Sequence, residues 1–465
     1  MKKMKNGSAP AGLKPVTGLE MFGYGFGGLS NNLLSMIVAS YIIYFFTDVA
    51  GLSVAAAGTI YMVSKVLDAA CDPLLGVLAD RTVSRFGRFR PYMMFGSLFA
   101  GVAFILLFTT VSFQGTARFA YYLIVYCLWS VGFTLTVLPY QSSVAIVSDD
   151  LARRNMLVTA GKLVSIPAGL VTANVFGLVD SFGGGAKGWQ SMIMAFAGIV
   201  IAGMWICAFS IRRFDTKERA REAAVNKEGK KYKLKERIHV ITSNKALFML
   251  ILAFATNNLA DTSLSSVQSY YAKYVLNDMS FISRVGNAAT MLTIPVFILA
   301  PILAKRFAKK NIFKVGTILH VLMPISLLVL DSQAHQNIIM PLYVLTKCSG
   351  MLCNVMAFMM LPDCVDFGRR MTGIISAGLV TSTFTFANKA SNALGGFISS
   401  LIMDASGYNA GEQQTALVLA AIIFCMSVPM ILSDVASFVG MTLYPINEHK
   451  KRPPENTSRD GGCEQ

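Results

Sequence analysis

The sequence predicts an all-α membrane protein in which twelve transmembrane helices form two six-helix bundles. Three observations predict it. Of 465 residues, 54% are hydrophobic and only 14% charged, with a mean hydropathy of +0.55, whereas a soluble domain carries about 25% charged residues. The apolar residues gather in runs of about 20, the length that crosses a bilayer. Positive charge collects in every second connection between those runs. A soluble enzyme of this length would need more charge to coat it, and 31 Phe and 16 Tyr exclude a disordered chain.

The runs must be helices, because hydrocarbon offers no water to bond the backbone and β-barrel alternation is absent. The first, residues 21–47, contains GYGFGGLSNNLLS. Its glycines admit a neighbouring helix closely, and Ser30, Asn31 and Asn32 must face protein or water, as a binding site or as interhelical hydrogen bonds. The second, 53–79, carries Lys65, Asp68 and Asp72 in KVLDAACDP. The third is 91–112. The fourth, 119–147, holds WSVGFTLTVLPYQSS, in which Thr134 and Thr136 offer hydroxyls, Pro139 frees carbonyls, and Gln141 offers an amide to a cavity or to a neighbouring helix. Lys162 lies in the fifth, 156–180, and the sixth is 190–211.

The seventh run, 246–276, repeats the polar pattern of the first with Thr256, Asn257, Asn258, Asp261 and Thr262. Runs 281–304, 312–331 and 336–362 follow; Asp363 and Asp366 come just after the last, and their position predicts a gate-closing ion pair with a basic loop. Run 371–403 carries Lys389 in FANKASNALGG, and 415–443 completes the set. The connection 212–245 divides these runs six and six, giving bundles 1–211 and 246–443 and a tail 444–465. This connection is rich in both charges and reads as a solvated, partly helical linker. GVLADRTVSRFGRFRPYMMFG in the first half and APILAKRFAKKNIFKVG in the second each set a basic turn before an apolar helix, a degenerate repeat. Two six-helix halves joined this way form the architecture of the major facilitator superfamily.

Orientation follows from the loops. Arg81, Arg85, Arg88 and Arg90, then Arg153 and Arg154, the 212–245 stretch, Lys305, Arg306, Lys309 and Lys310, and Arg369 and Arg370 share one side, while the other holds little beyond Arg118 and Lys187. With Lys2, Lys3 and Lys5 at one end and Lys450, Lys451 and Arg452 at the other, both termini are expected in the cytoplasm. The net charge of +16 is therefore membrane topology rather than a nucleic-acid surface. The basic, polar N-terminus leads into an apolar run without a small-residue cleavage site, so no removable signal peptide is expected. Cys71, Cys127, Cys207, Cys348, Cys353, Cys364 and Cys425 lie within or beside apolar runs and Cys463 in the tail, with no CxxC or His–Cys cluster to hold a metal.

An ionisable residue inside a bilayer costs at least about 2.5–3.5 kcal/mol, which marks it as functional. Asp68 and Asp72 are four apart and share a helix face, with Lys65 three residues before Asp68 on the same face. Two neighbouring carboxylates repel unless a proton or cation lies between them, so the pair is a natural proton or sodium site; the structural alternative is a buried ion-pair network with Lys65. Lys162 and Lys389 are single buried cations, each needing an anionic partner. If run 11 packs on run 2, the partner of Lys389 is Asp68 or Asp72. The chain lacks a phosphate-binding loop and a nucleophile–base constellation, so neither an ATP-driven pump nor an enzyme is expected, and no cofactor beyond a coupling ion.

The chain resembles the glycoside–pentoside–hexuronide:cation symporter family, that of the melibiose permease and the bacterial glucuronide carrier. The resemblance covers nearly the whole chain: YGFG, YFFTDVAGLS, DAACDP, RFGRFRP, LPYQS, YYAKYVLND, DCVDFG and Lys389 occur in order. It implies that Asp68, Asp72 and Thr134 bind the coupling cation. Cys71 stands where the melibiose permease has Asn, and a thiol is a poor ligand for a hard ion such as Na⁺, which favours H⁺. Asn32, Val137 and Gln141 replace the acids and Trp that bind galactosides, which speaks against melibiose. The Asn31–Asn32 pair is similar to the glucuronide carrier, and Lys162 and Lys389 match the family's buried cations, suiting an anionic glycoside such as a hexuronide.

The resemblance thus implies symport of a glycoside or uronide with H⁺ or Na⁺, with Asn31, Asn32, Gln141, Lys162 and Lys389 on the substrate and Lys65, Arg88, Asp363 and Asp366 in gating or structure. The expected setting is a bacterial-type plasma membrane, with a monomer sufficing and no nucleic-acid partner. A sodium-coupled lysolipid or amphiphile transporter of the same family is the alternative; a receptor without flux would leave the acidic pair unexplained.

Overall fold

The computed structural model describes residues 16–147, 151–225, 241–372 and 377–446. Lys2, Lys3, Lys5, Lys450, Lys451, Arg452, Cys463 and the 226–240 part of the central connection lie outside the described residues, as do the side chains of Arg81, Arg153 and Arg154. In the first half the helices are α1 (Gly18–Tyr44), α2 (Val54–Arg81), α3 (Arg90–Leu107), α4 (Gly115–Val147), α5 (Leu151–Val164), α6 (Ile166–Ala173), α7 (Val175–Ser181), α8 (Gly185–Ser210) and α9 (Lys217–Val225). In the second they are α10 (Lys245–Tyr270), α11 (Ser280–Arg306), α12 (Lys309–His320), α13 (Leu322–Val329), α14 (Gln336–Thr372), α15 (Ala377–Ala405) and α16 (Ala416–Leu443).

Local chemistry sets the ends and breaks. Thr17 and Glu20 form a capping box at the start of α1, and Asn244 accepts from Leu247 N to begin α10. The fifth expected run is interrupted at Ser165 and Asn174, because Pro167 lacks an N–H and Asn174 Nδ2 donates back to the Leu170 carbonyl. The ninth breaks at Val321, three residues before Pro324. Both α1 and α10 end in a five-residue π-helix, Phe45–Val49 and Tyr271–Val275, at corresponding places in the two halves.

Among the described residues, eleven helices are long and apolar enough to cross a membrane. The 29-residue α15 has the length, but Asn388, Lys389 and Asn392 lower its apolarity; with it the expected twelve are consistent. Large apolar side chains such as Val66, Phe95, Ile298 and Leu432 are exposed around the outside, an extent of apolar surface that suits lipid and not water.

The halves meet where α2 packs on α15, α1 on α10 and α6 on α11. Contacts between them include Thr47 with Tyr270, Ala55 with Asp404 and Asn174 with Asn287, and they extend along α2 and α15 to Asp68, Asp72 and Lys389. One expectation is corrected: the connection after residue 211 is not solvated throughout. Phe214, Asp215 and Ala220 are buried, because Asp215 is drawn to backbone donors of the loop before α3.

Candidate functional site

Asp68 and Asp72 lie one turn apart on α2, and α15 brings Lys389 to both. Lys389 Nζ is 2.9 Å from Asp68 Oδ2 and 2.5 Å from Asp72 Oδ2. Thr134 Oγ1 of α4 donates to Asp68 Oδ1 at 2.6 Å, while Asp72 Oδ1 is buried with no hydrogen-bond partner among the described residues. Two carboxylates therefore share one ammonium, and one oxygen remains to accept a proton or cation. Lys65 does not join them. Its Nζ lies 5.6 Å from the Tyr61 ring centre and 5.9 Å from that of Trp129, held by the aromatic faces, so the Lys65-centred network is replaced by one centred on Lys389. Cys71 is half-buried beside the pair and makes no hydrogen bond among the described residues.

Four residues singled out as substrate ligands line one cavity. Asn31 and Asn32 of α1, Gln141 of α4 and Lys162 of α5 enclose about 240 Å³ with Tyr24 and Tyr140. Thr136 donates to Asn31 Oδ1 at 3.1 Å, leaving Asn31 Nδ2 buried with no hydrogen-bond partner among the described residues. A close approach of helices shapes the floor: a Cβ on Gly28 would stand 2.6 Å from the Gly161 carbonyl oxygen, so only glycine fits. Lys162 has no acidic partner among the described residues. Lys389, expected either with these ligands or at the acidic pair, lies at the acidic pair.

A second polar cluster, which sequence reasoning left without a role, joins the halves. Asp48 accepts from Lys273 Nζ at 2.6 Å and from the hydroxyls of Tyr274 and Tyr408 at 3.0 and 2.8 Å. Thr47 and Tyr270 hydroxyls meet at 2.7 Å. The signal was one Asp in the aromatic run YFFTDV and one Lys in YYAKYV, at matching places in the two halves.

Residues 23–448 match the family described as MFS/sugar transport protein. The chain belongs to this family. It is similar to the uncharacterized symporter YnaJ of Bacillus subtilis (strain 168), 27% identical with 94% of each chain covered. The isoprimeverose transporter of Lactiplantibacillus pentosus is 27% identical, over 87% of this chain and 83% of its own. The glucuronide carrier protein homolog of Escherichia coli (strain K12) is 25% identical over 92% of each. Among solved structures, the peptide transporter POT in complex with sulfate covers 92% of this chain and 96% of its own with a TM-score of 0.65 at 14% identity, and the nucleoside transporter NupG 93% and 100% with 0.63 at 13%. These two show the fold. The MFS/sugar transport protein is thus an integral membrane transporter rather than an enzyme.

The remaining expected site residues of this MFS/sugar transport protein have structural surroundings. The backbone N–H groups of Arg88, Phe89 and Arg90 donate to the Asp215 carboxylate at 2.7, 2.8 and 2.9 Å, capping α3. Burial lowers the proton affinity of the Arg88 guanidinium, and Asp215 opposes that. Asp363 accepts from Lys309 Nζ at 2.5 Å, the ion pair with a basic loop that was expected. Both partners belong to the second half, on α12 and α14. Asp366 is exposed and has no ion pair among the described residues.

Proposed function

We propose that this transporter is a symporter that couples uptake of a sugar-type solute to a cation by alternating access, with bundles 1–211 and 246–443 as the moving bodies. The observation that carries the reading is Lys389, whose ammonium from the second half lies between the two carboxylates of the first. A cation or proton arriving at Asp68 and Asp72 competes with that ammonium, so occupancy of the site changes how strongly the halves are bound. Thr134 completes the site. Cys71 in place of an oxygen ligand favours H⁺ over Na⁺.

The solute is proposed to bind in the cavity of Asn31, Asn32, Gln141 and Lys162. Asn31, with a free amide donor, suits sugar hydroxyls. Lys162, without an acid opposite it, suits a carboxylate, so an anionic glycoside or hexuronide fits best. One relative carries a name of this kind, the glucuronide carrier homolog, and another carries a sugar name, the isoprimeverose transporter. With Arg-rich loops in the cytoplasm, the Asp48–Lys273 cluster closes the outer side of a bacterial-type plasma membrane.

The test is uptake of a panel of radiolabelled neutral and anionic glycosides into proteoliposomes, under an imposed pH or Na⁺ gradient. Accumulation of an anionic glycoside driven by the pH gradient is expected. Uptake that only equilibrates, under either gradient, would overturn coupling.

A further inference from the structure

The acidic pair is not the only buried ionisable group in the membrane core. In the second half, His320 at the end of α12 is fully buried, as is Asp434 on α16. His320 Nδ1 lies 3.0 Å from each Asp434 carboxylate oxygen. With Asp434 ionised, Nδ1 donates to it, and in the neutral imidazole Nε2 then keeps a lone pair. That Nε2 has no hydrogen-bond partner among the described residues. A buried polar atom left bare is costly, and an apolar side chain would fill the space more favourably.

What Nε2 faces is informative. An added Cβ at Gly350 of α14 would stand 3.3 Å from His320 Nε2 and 3.4 Å from Asp261 Oδ2. His320 Nε2 and Asp261 Oδ2 therefore both border Gly350, where a side chain would crowd them, and a water seated between them would link the two. Asp261 Oδ1 is 3.5 Å from Lys347 Nζ, and its side chain is 37% exposed, which links it to solvent. Lys347 in turn lines a cavity of about 290 Å³ between the halves, with Tyr41 and Thr172 from the first and Gln268 and Tyr343 from the second.

We propose that His320 is a second proton-binding site, loaded through Asp261 and stabilised by Asp434, in addition to the acidic pair of the first half. A proton arrives on the Asp261 carboxylate from cavity water and passes to Nε2: the O–H bond breaks, the N–H bond forms, and release reverses both. The imidazolium then stands between two carboxylates. Asp261, drawn towards it, loosens its hold on Lys347, which turns its ammonium to an anionic group in the cavity. The ionisable groups around His320 are Asp434 on α16 and Asp261 on α10, which borders the same Gly350; on α14, Lys347 pairs with Asp261 and Cys353 Sγ donates to the Phe313 carbonyl. α11 carries charge only near its ends, at Arg284, Lys305 and Arg306, and α13 carries none. On α12 itself the nearest charge, Lys314, has its Nζ 5.5 Å from the Phe438 ring centre.

The experiment is ¹⁵N NMR of the full-length protein labelled at histidine, in the variant His239→Gln, His335→Gln, His449→Gln, which leaves His320 as the sole histidine. The signal is followed from about pH 8 to about pH 5, and Nε2 is expected to gain a proton on acidification. Asp261→Asn should move that midpoint to lower pH by removing a facing negative charge, an effect that a packing role would not produce. An Nε2 signal that stays unprotonated over this range, or a midpoint unmoved by Asp261→Asn, overturns the proposal. Asp68→Asn should leave the titration in place even where it abolishes coupled transport, so failure at the acidic pair and failure at His320 are read separately.

Discussion

Lys389 of α15 lies 2.5 Å from Asp72 and 2.9 Å from Asp68 of α2, so one ammonium ties the second half of the transporter to the acidic pair of the first. A buried charge pair contributes little net stability when intact, but removing one partner costs about 3–5 kcal/mol. Under the proposed coupling, the pair acts as a latch whose strength depends on what else occupies the carboxylates.

Asp68→Asn or Asp72→Asn should abolish accumulation against a gradient, because the proposed coupling ion loses a ligand. Energy-independent exchange should survive in part. Uptake and counterflow in the same proteoliposomes distinguish the two, and uphill transport by the double variant would remove the acidic pair from the mechanism.

Lys389→Ala removes the cation that opposes protonation of the carboxylates. Uphill transport should weaken, and the limb of the pH profile set by the acidic pair should move to higher pH, since two unopposed carboxylates hold a proton more firmly. Lys389→Arg should restore part of the profile. Normal accumulation with an unmoved profile would show that the lysine is not part of coupling.

Cys71 bears on ion choice. Uptake should respond to a pH gradient more than to Na⁺, and Cys71→Asn, which supplies a carbonyl oxygen, should gain sodium dependence. The readout is initial uptake rate against Na⁺ concentration at fixed pH; strong sodium stimulation of the unaltered protein contradicts the assignment.

Asp215 offers a stability measurement independent of transport. Its carboxylate accepts three backbone hydrogen bonds at the start of α3. Asp215→Ala should destabilise the protein by about 1–2 kcal/mol, read as a lower melting temperature in detergent, with Asp215→Asn recovering part of it.

How legible these features were in the sequence depended on the range of the interaction. Asp68 and Asp72 could be placed on one face from their spacing alone, and Lys389 could be assigned to them as soon as its burial demanded an anion. Asn31, Asn32, Gln141 and Lys162 were each marked by polarity in an apolar run, and the fold brings them to one cavity. Lys65 was misleading because helical spacing shows which face a residue shares, not which way a long side chain turns; Tyr61 and Trp129 decided that. Asp215 looked solvated in a charged connection, since its partners are backbone N–H groups well over a hundred residues earlier, which no composition reveals. Asp363 and Lys309 were correctly paired in type, but only topology shows that both lie in the same half.

Asp48 carries the last prediction. It accepts hydrogen bonds from Lys273, Tyr274 and Tyr408, all in the opposite half, and its side chain is 2% exposed while that of Lys273 is 34%. Hydrogen bonds to a charged group contribute about 1.5–3 kcal/mol each, less where solvent reaches them. Asp48→Asn keeps the size of the side chain and removes its charge, so the closed arrangement on this side should lose a few kcal/mol relative to the open one. Ser265, which lines the cavity between the halves, reports the change: in a Ser265→Cys background, labelling by a membrane-impermeant thiol reagent from that side should accelerate about tenfold for each 1.4 kcal/mol lost. Lys273→Ala should accelerate it as well, and the double variant should add little, because both substitutions break the same contact. Labelling unchanged by either would mean that the two halves are held together there by aromatic packing alone, with Tyr44, Tyr270 and Tyr408 in edge-to-face contact as the closure.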